Sequence, residues 1–454
     1  MVFALGCTAY ASDAGTADTA ESTEETGDTT TEAPAEGEEA PAEGEEAEEE
    51  TPAEEETPAE ETPAETASKI VIIHTNDIHG TIENYAKVAA LKAEYEAEGA
   101  AVLLVDDGDF IQGSIYVSES QGATAVELMN LAGYDVATLG NHEFDYSWQN
   151  LANIAKNAEF PIISNVTRNG KAMFDASWTV EVGGAKIGFF GLETPETATK
   201  AHPAKIVGVG FMAGDELYGY AQDQVDALVA DGCDYVICLG HLGISDESTG
   251  NRSVDVLAKV TGIDVFIDGH SHSTQSDIAE ETNGTGMVGD TILTSTGTKL
   301  ESVGVVDIAA DGTIDASTIS MEELNATEGF TPDQDIATRV SEINAQIEED
   351  MGQVIGTSEV DLDGVRENVR ASETNLGDLI TDAMLWQAGQ DNEEVDAAIT
   401  NGGGIRASIA AGDITKKSVN DVLPFGNTLY VVELTGAELL EAPGSFQLLH
   451  PPNR

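Results

Sequence analysis

The chain has 454 residues, 41% of them apolar, and a formal net charge of -65 at pH 7. This length and apolar content are enough for two or three domains with their own cores. So much negative charge repels nucleic acid polymers and anionic membranes. This excludes a function in which the chain binds nucleic acid or an anionic membrane by charge attraction. A small anionic substrate would need a local cluster of positive side chains.

Residues 1–11 are predicted to be the remainder of a signal peptide. They hold a short apolar run followed by Ala9-Tyr10-Ala11, a small-x-small cleavage pattern, although no basic residues precede the run. The alternative is an imperfect lipoprotein box that ends at Cys7. Both interpretations predict export to an extracellular, periplasmic or cell-wall location. No later stretch of sequence is long and apolar enough for a transmembrane segment.

Residues 12–68 are predicted to be a disordered spacer. The first 68 residues contain 22 acidic residues and no Lys or Arg, and imperfect ETPAE repeats run through them. Dense like charge and few apolar groups cannot offset the entropy lost on ordering the chain. An extended acidic linker is therefore expected before the first domain.

Ordered structure is predicted from residue 69, where β-branched runs begin to alternate with helical patterns. Such alternation is typical of a layered α/β domain. The predicted strands are Ile70–His74, Val102–Val105, Val136–Leu139, Ile187–Gly191, Tyr235–Leu239, Val265–Ile267 and Val303–Ile308. The predicted helices are Tyr85–Glu98, Ala123–Ala132, Trp148–Asn157, Gly214–Asp231, Val254–Thr261 and residues 333–351, where apolar side chains recur at helical spacing.

Five short polar motifs follow predicted strands: HTNDIHG (74–80), DDGDFIQGS (106–114), GNHEFD (140–145), GHLG (240–243) and GHSH (269–272). Strand ends in such a domain converge on one edge, so the side chains of these motifs are expected to meet. Seven nitrogen and oxygen ligands suit two ions that share a bridging carboxylate. Imidazole with carboxylate favours Zn, Mn, Fe or Co over Ca or Mg. The candidate ligands are Asp77, His79, Asp109, Asn141, His241, His270 and His272.

The motif GNHEFD also contains a candidate catalytic pair. Asn141 can offer a neutral carbonyl oxygen to an ion, which leaves the imidazole of His142 free to face a substrate. Asp145 lies three residues further on and can orient that imidazole. A positioned imidazole can stabilise charge on a transferring phosphoryl group or on its leaving oxygen. Glu143 is assigned a structural role.

These motifs resemble those of the bacterial and animal 5'-nucleotidase family, which includes UDP-sugar hydrolases and 2',3'-cyclic-nucleotide phosphodiesterases. The resemblance covers roughly residues 69–441. It implies a four-layer αββα metallophosphoesterase sandwich (69–328), a linker helix (329–351) and a truncated α/β nucleotide-binding domain (352–442), with an aberrant tail (443–454). It also implies that Asp109 bridges the two ions. One ion would then bind Asp77, His79 and His272, and the other Asn141, His241 and His270.

The resemblance continues into the second domain through RASETNLGDLITDAM (370–384), TNGGGIRAS (400–408) and VLPFGNTL (422–429). It implies that Arg370 and Arg406 contact the anionic part of the substrate, that Asn401 contacts the nucleoside and that Phe425 stacks on the base. Gly403 is also assigned to the substrate-binding residues, although the need for a tight turn would by itself explain the three glycines Gly402–Gly404. Two Arg forks suit phosphate and would supply the positive charge that the acidic body lacks.

Three functions remain open at this stage. The first is a secreted two-metal phosphohydrolase that removes phosphate from 5'-nucleotides. The second is a 2',3'-cyclic-nucleotide phosphodiesterase or UDP-sugar hydrolase on the same scaffold. The third is an inactive or impaired surface-displayed binding fragment, but such a module has no need of an imidazole like that of His142 beside its metal ligands. The oligomeric state is left open.

Overall fold

The computed structural model describes residues 2–6, 69–390, 395–425 and 427–438. The predicted spacer (12–68) and tail (443–454) lie outside these residues. Short apolar strands alternate with helices from residue 69 onward, as predicted, and the described strands of the first domain form two large sheets and one small three-stranded sheet.

The first sheet has five strands, and the last three in its spatial order run parallel to one another. In spatial order the strands are Ile314–Ser320, Ser302–Ala309, Lys69–Thr75, Ala101–Asp106 and Val136–Ala137. The second sheet has six strands with a parallel centre. In spatial order these are Met287–Val288, Thr291–Thr294, Val265–Asp268, Tyr235–His241, Ala185–Glu193 and Ser177–Val182.

The two sheets pack against each other because their central strands are apolar on both faces. Ile70 and Ile72 point into the core between the sheets, where Phe189 and Ile237 of the second sheet meet them. Val71, one residue along, points to the opposite face and packs under the helices of the first sheet. Alternation of side chains along a strand therefore supplies both cores.

Helices cover the outer face of each sheet, so the first domain is a four-layer αββα sandwich, as predicted. Those against the first sheet are Tyr85–Ala97, Ile115–Ser118, Ala123–Ala132, Trp148–Ile154, Met321–Ala326 and Gln334–Met351. Those against the second sheet are Asp215–Ala230, Ser253–Leu257 and Gln275–Glu281. The short helix Thr197–Lys200 and the short strands Thr167–Arg168, Lys171–Ala172 and Val209–Gly210 complete this domain.

The predicted linker helix forms as Gln334–Met351. It is capped at its N-terminus by Asp333, whose side chain accepts a hydrogen bond from the Ile336 N–H at 2.9 Å. Its apolar stripe is buried in the core of the first sheet and consists of Ile336, Val340, Ile343 and Ile347. The helix is thus part of the first domain's outer layer as well as the connection to the second domain.

Several element boundaries differ from the sequence prediction. The strand predicted for Val136–Leu139 ends at Ala137, because the chain turns there to present the GNHEFD motif. The helix predicted to reach Asn157 ends at Ile154 and continues as a short 3₁₀ turn. Edge strands Ser177–Val182 and Ile314–Ser320 were not predicted, since half-exposed strands with polar residues have a weak apolar signal.

The second domain is smaller. It contains helices Arg366–Ala371, Asn375–Gln390 and Lys416–Val422 around a small core that includes Leu376, Ile380 and Ile409. Strands Val354–Ser358 and Gly412–Thr415 pair antiparallel, and a separate sheet contains Ala397–Thr400 and Tyr430–Glu433.

The strand Val2–Gly6 lies between Ala397–Thr400 and Tyr430–Glu433, parallel to the first and antiparallel to the second. These residues belong to the predicted signal peptide, which stays a prediction. Within the part of the chain that the structure describes, no helix combines the length and the hydropathy needed to cross a membrane.

Candidate metal centre and substrate site

The five polar motifs meet at one edge of the sandwich, as their positions after strands predicted. Asp77 follows strand Lys69–Thr75, and Asp109 follows strand Ala101–Asp106. His241 ends its own strand in the second sheet, beside the strand that precedes the GHSH motif. Because the parallel strands of each sheet end at the same edge, loops from both sheets contribute side chains to one cluster.

Four of the seven candidate ligands are linked by short distances between their side chains. His79 Nε2 is 3.8 Å from Asp77 Oδ1 and 3.7 Å from Asp109 Oδ2. His272 Nε2 is 3.4 Å from Asp77 Oδ1 and 2.9 Å from His79 Nε2. These are the four residues that the family resemblance assigns to a single ion. The ligand atoms of three of them, Asp77, His79 and His272, all lie within 4.8 Å of one another, a spacing that fits a divalent cation.

A second group shares Asp109 with the first. His241 Nε2 lies 3.2 Å from Asp109 Oδ2, and ligand atoms of Asp77, Asp109 and His241 all lie within 4.8 Å of one another. Asn141 Oδ1 is buried and has no hydrogen-bond partner among the residues that the structure describes. A buried amide oxygen without a donor is costly unless a cation or water binds it, so this donor set fits a metal ion.

His270 is placed differently from the other candidate ligands. Its main-chain N–H donates to Asp77 Oδ1 at 3.2 Å, which brings the residue to the cluster. Its Nε2, however, is 2.8 Å from Glu196 Oε2. His270 is in none of the three-residue groups that could hold an ion within the described chain. Sequence reasoning missed Glu196.

Backbone strain is concentrated in this cluster. Asp77, His79, Asp109, His270 and His272 all have positive φ, between 47° and 70°. This left-handed region is unfavourable for residues with a side chain and costs on the order of 1–3 kcal/mol each. Strain of this kind persists where the surrounding fold over-determines the conformation, and here it turns the candidate ligands toward a common point.

The predicted catalytic pair is in contact. His142 Nδ1 lies 2.6 Å from Asp145 Oδ2, so Nδ1–H donates to the carboxylate and Nε2 is the ring nitrogen left for an ion or a substrate. Burial disfavours the charged imidazole, but the carboxylates of Asp109 and Asp145 raise the pKa of His142 above its ordinary value. The His142 ring centroid is 5.2 Å from that of His79. A ligand group made of His79, Asp109 and His142 is also geometrically possible.

Glu143 holds the loops together, which agrees with its predicted structural role. Its two carboxylate oxygens accept main-chain N–H groups from Asp109 at 2.8 Å and from Gly140 at 2.6 Å, and further ones from Phe110 and Ile111. Gly140 must be glycine because a Cβ there would lie 2.3 Å from Asp109 Oδ1. The motif GNHEFD therefore contains a glycine that lets the main chain pass close to Asp109, a structural carboxylate and the candidate catalytic pair.

Residues of the second domain border the same site. The Phe425 ring stacks on His142 with centroids 5.7 Å apart, and the Arg406 guanidinium lies 5.5 Å from the centre of the same ring. Asn401 and Arg370 both lie beside Gly403. A Cβ atom placed on Gly403 would be 3.4 Å from Asn401 Nδ2 and 3.5 Å from Arg370 Nη2. An apolar cavity of about 480 Å³ in this domain has Phe425 on its wall.

The sequence analysis also missed Arg366. Its Nη1 lies 3.0 Å from His272 Nδ1, which brings a third guanidinium to the cluster. Arg366 is four residues before Arg370 on the helix Arg366–Ala371. Residues four apart lie on the same helical face, so this spacing was the signal that could have identified it.

Buried carboxyl groups around the cluster make the metal-free chain sensitive to pH. Burial raises the pKa of Asp268 from 3.8 to about 7, although Gly243 N–H and Ser253 Oγ donate to its carboxylate. Between pH 3.8 and about pH 7 the folded chain thus binds more protons than the unfolded chain. The free energy of unfolding therefore falls as pH rises through this range. A single carboxyl group with a pKa shift of this size changes the free energy of unfolding by at most about 4 kcal/mol across that pH range.

We therefore expect the metal-free chain to have a lower free energy of unfolding at about pH 8 than at about pH 5, and Asp268→Asn to weaken that dependence. Urea unfolding of chelator-treated protein at both pH values measures it. Asp246→Asn is the control, because the Asp246 side chain is fully exposed. The same pH slope in Asp268→Asn as in the parent chain would show that Asp268 does not contribute.

Comparisons with known proteins agree with this architecture. Residues 70–274 match the family model described as calcineurin-like phosphoesterase, and residues 354–442 match the one described as 5'-nucleotidase, C-terminal domain. The 5'-nucleotidase precursor from Thermus thermophilus is similar in structure, with a TM-score of 0.70 and 31% identity. That similarity covers 84% of this chain and 78% of the Thermus chain.

Two relatives give the extent of the similarity in sequence. The trifunctional nucleotide phosphoesterase protein YfkN of Bacillus subtilis is 32% identical in an alignment that covers 84% of this chain and 28% of that protein. A snake venom 5'-nucleotidase of Crotalus adamanteus is 30% identical over 82% of this chain and 69% of its own length. The chain therefore spans less than a third of YfkN and about two thirds of the venom enzyme.

Proposed function

Because the chain belongs to the 5'-nucleotidase family, we propose that it is a metal-dependent phosphohydrolase that removes phosphate from 5'-nucleotides. One arrangement carries the proposal. The His142 ring, which is paired with Asp145, has its centroid 5.2 Å from that of the candidate ligand His79 and 5.7 Å from that of Phe425. A nucleotide whose base lies at Phe425 would have its phosphate near the cluster.

The proposed metal ligands are the two groups around Asp109, which would bridge two divalent ions of Zn, Mn, Co or Fe. Bound ions of this kind supply an activated water and neutralise charge on the phosphoryl oxygens. Asp77, His79 and His272 would complete one site, and Asn141, His241 and His270 the other. The buried unpartnered oxygen of Asn141 supports the second site.

The chain's own groups would act on the substrate as follows. His142 would present Nε2–H to the phosphoryl group or to the leaving ribose oxygen, while Asp145 holds Nδ1 and stabilises the charged ring. Arg366, Arg370 and Arg406 would bind phosphate oxygens as charged donors. Phe425 would stack on the base, Asn401 would contact the nucleoside, and Gly403 would allow close approach of the main chain.

A wider range of phosphoric esters is the second candidate. The similarity to a protein named a trifunctional nucleotide phosphoesterase favours it. Cyclic nucleotides and UDP-sugars also join a nucleoside to phosphorus, and they differ from 5'-nucleotides in the position of the phosphorus or in the group that leaves. We also propose that the chain is exported, which rests on the leader pattern of residues 1–11. Cell fractionation tests this second proposal.

Release of phosphate from AMP, from 2',3'-cyclic AMP and from UDP-glucose tests the function. The protein is stripped with a chelator and then reloaded separately with Zn, Mn, Co or Fe, and cyclic and sugar substrates are coupled to a phosphatase so that each cleavage is counted. AMP hydrolysis that depends on reloading supports the first proposal. Preferential cleavage of a cyclic or sugar ester favours the second, and no metal-dependent cleavage of any of them contradicts both.

Loss of a phosphate-binding guanidinium should weaken substrate binding more than the chemical step. Arg406→Ala is expected to raise KM for AMP by about 10- to 100-fold, since a hydrogen bond to a charged group contributes about 1.5–3 kcal/mol. Steady-state kinetics on AMP measure the effect. Lys416→Ala removes a cation from an exposed position of the same domain and is the matched control. An unchanged KM in Arg406→Ala would exclude Arg406 from the phosphate site.

A further inference from the structure

Glu196 makes a contact with the candidate metal centre that the family resemblance does not assign. It lies directly before the short helix Thr197–Lys200 and is half-buried. Its Oε2 is 2.8 Å from His270 Nε2, although the two residues are 74 positions apart in the sequence. His270 itself is buried, so this carboxylate closes the outer side of the imidazole.

The Glu196 carboxylate is held in place by two further groups. Ser248 Oγ donates to Oε1 at 2.8 Å, and Lys200 Nζ lies 2.7 Å from Oε2. Ser248 is buried, which limits the freedom of this contact. Lys200 also faces Glu247 at 3.4 Å. Glu196 is therefore oriented by its own surroundings and does not depend on His270 for its position.

This contact decides which ring nitrogen of His270 is available to an ion. A neutral imidazole carries a proton on one nitrogen and a lone pair on the other. Lys200 Nζ is 3.4 Å from Nε2, farther than the Glu196 carboxylate, so the carboxylate is the closer partner. It accepts a hydrogen bond from Nε2–H, which leaves the lone pair on Nδ1. Nδ1 is the nitrogen nearer to the main chain, and the His270 main-chain N–H donates to Asp77 Oδ1. The main chain of His270 thus lies beside a carboxylate of the cluster, and Nδ1 is the ring nitrogen that remains for an ion.

We propose that Glu196 is a positioning residue that orients the His270 imidazole so that Nδ1 binds the ion shared with Asp109 and His241. A carboxylate that accepts the second N–H of a ligating histidine fixes its tautomer and orientation and makes it a better donor. The inference rests on the proposed two-ion site. It adds a residue that contacts neither an ion nor a substrate but determines the affinity of one ion.

Metal affinity is the direct test, measured on the full chain by competition with a chromophoric chelator. Glu196→Ala is expected to weaken one of two bound equivalents by about 10- to 100-fold and to leave the other unchanged. Glu196→Gln keeps an amide oxygen that can accept from Nε2–H and should weaken the same equivalent less. Glu247→Ala is the matched control, because Glu247 contacts the same Lys200 and not His270. The control should bind both equivalents as the parent chain does.

A double-mutant cycle separates positioning from a general structural role. If Glu196 acts through His270, adding Glu196→Ala to His270→Ala produces no further loss of affinity. A further loss in that background would overturn the inference, as would unchanged affinity in both Glu196 variants. Thermal unfolding of each metal-free variant shows whether it is folded, and Glu196→Gln supplies the comparison if Glu196→Ala is not. A parent chain that binds no metal overturns the two-ion proposal itself, and the inference with it.

Discussion

Asp109→Asn is expected to lower the rate of AMP hydrolysis by about 10³-fold or more, because metal-assisted charge stabilisation is worth several kcal/mol. Asp109 Oδ2 faces both His79 and His241, so its charge serves both proposed ion sites. A neutral amide of the same shape has weaker attraction for cations and less capacity to bridge them. Metal content by mass spectrometry should fall together with the rate.

Asp107→Asn is the matched control for this substitution. Asp107 is a buried acid on the same loop, two residues earlier, and its carboxylate is in none of the possible ligand groups within the described residues. It should keep its metal. Near parental turnover and full metal content in Asp109→Asn would show that the two-metal assignment is wrong.

His142→Ala is expected to lower kcat by about 10²–10⁴-fold, which is the usual contribution of a positioned acid or base. Metal content should hardly change, because Nδ1 is engaged by Asp145 and the proposed ligand in this motif is Asn141. Single-turnover kinetics on AMP with the metal-loaded variant measure the chemical step. Asp145→Asn keeps the imidazole but removes the charge that stabilises its protonated form, so a smaller loss is expected there.

The geometry also defines the result that would contradict this role. A ligand group of His79, Asp109 and His142 is possible in the fold. A large loss of metal in His142→Ala would therefore make His142 a ligand and remove that role from Asn141. The two measurements, rate and metal content, distinguish a catalytic imidazole from a metal-binding one.

The second domain brings guanidinium groups to the site, while the first-domain cation Lys200 is paired with Glu196. The parent chain is strongly acidic, and the cluster around Asp109 adds further buried carboxylates. The Arg366 guanidinium contacts the His272 ring directly. The Arg406 guanidinium lies over the ring of Phe425, which in turn stacks on His142. An anionic substrate is therefore expected to be held from the side of the second domain, while the first domain supplies the reacting groups.

Local sequence signals predicted a layered α/β domain, the five motifs at strand ends and the pairing of His142 with Asp145, whereas the αββα order of the layers was implied by the family resemblance. These features depend on short-range patterns: alternation of apolar residues along strands, helical spacing, and a three-residue separation within one turn. The edge strands Ser177–Val182 and Ile314–Ser320 were missed, because strands with one exposed face carry little apolar signal. The end of the strand at Ala137 was also missed, since it depends on the turn that follows.

What the sequence by itself determined is the set of chemical groups and their place at the carboxyl ends of apolar strands. Only the tertiary structure decided how distant groups pair. Glu196 meets His270 across 74 residues, and Arg366 meets His272 across 94. Neither contact has a periodic signal, because each depends on how separate loops are brought together by sheet register and domain packing. The orientation of a ligand imidazole is set by such contacts, and for that reason it could not be predicted from the order of residues alone.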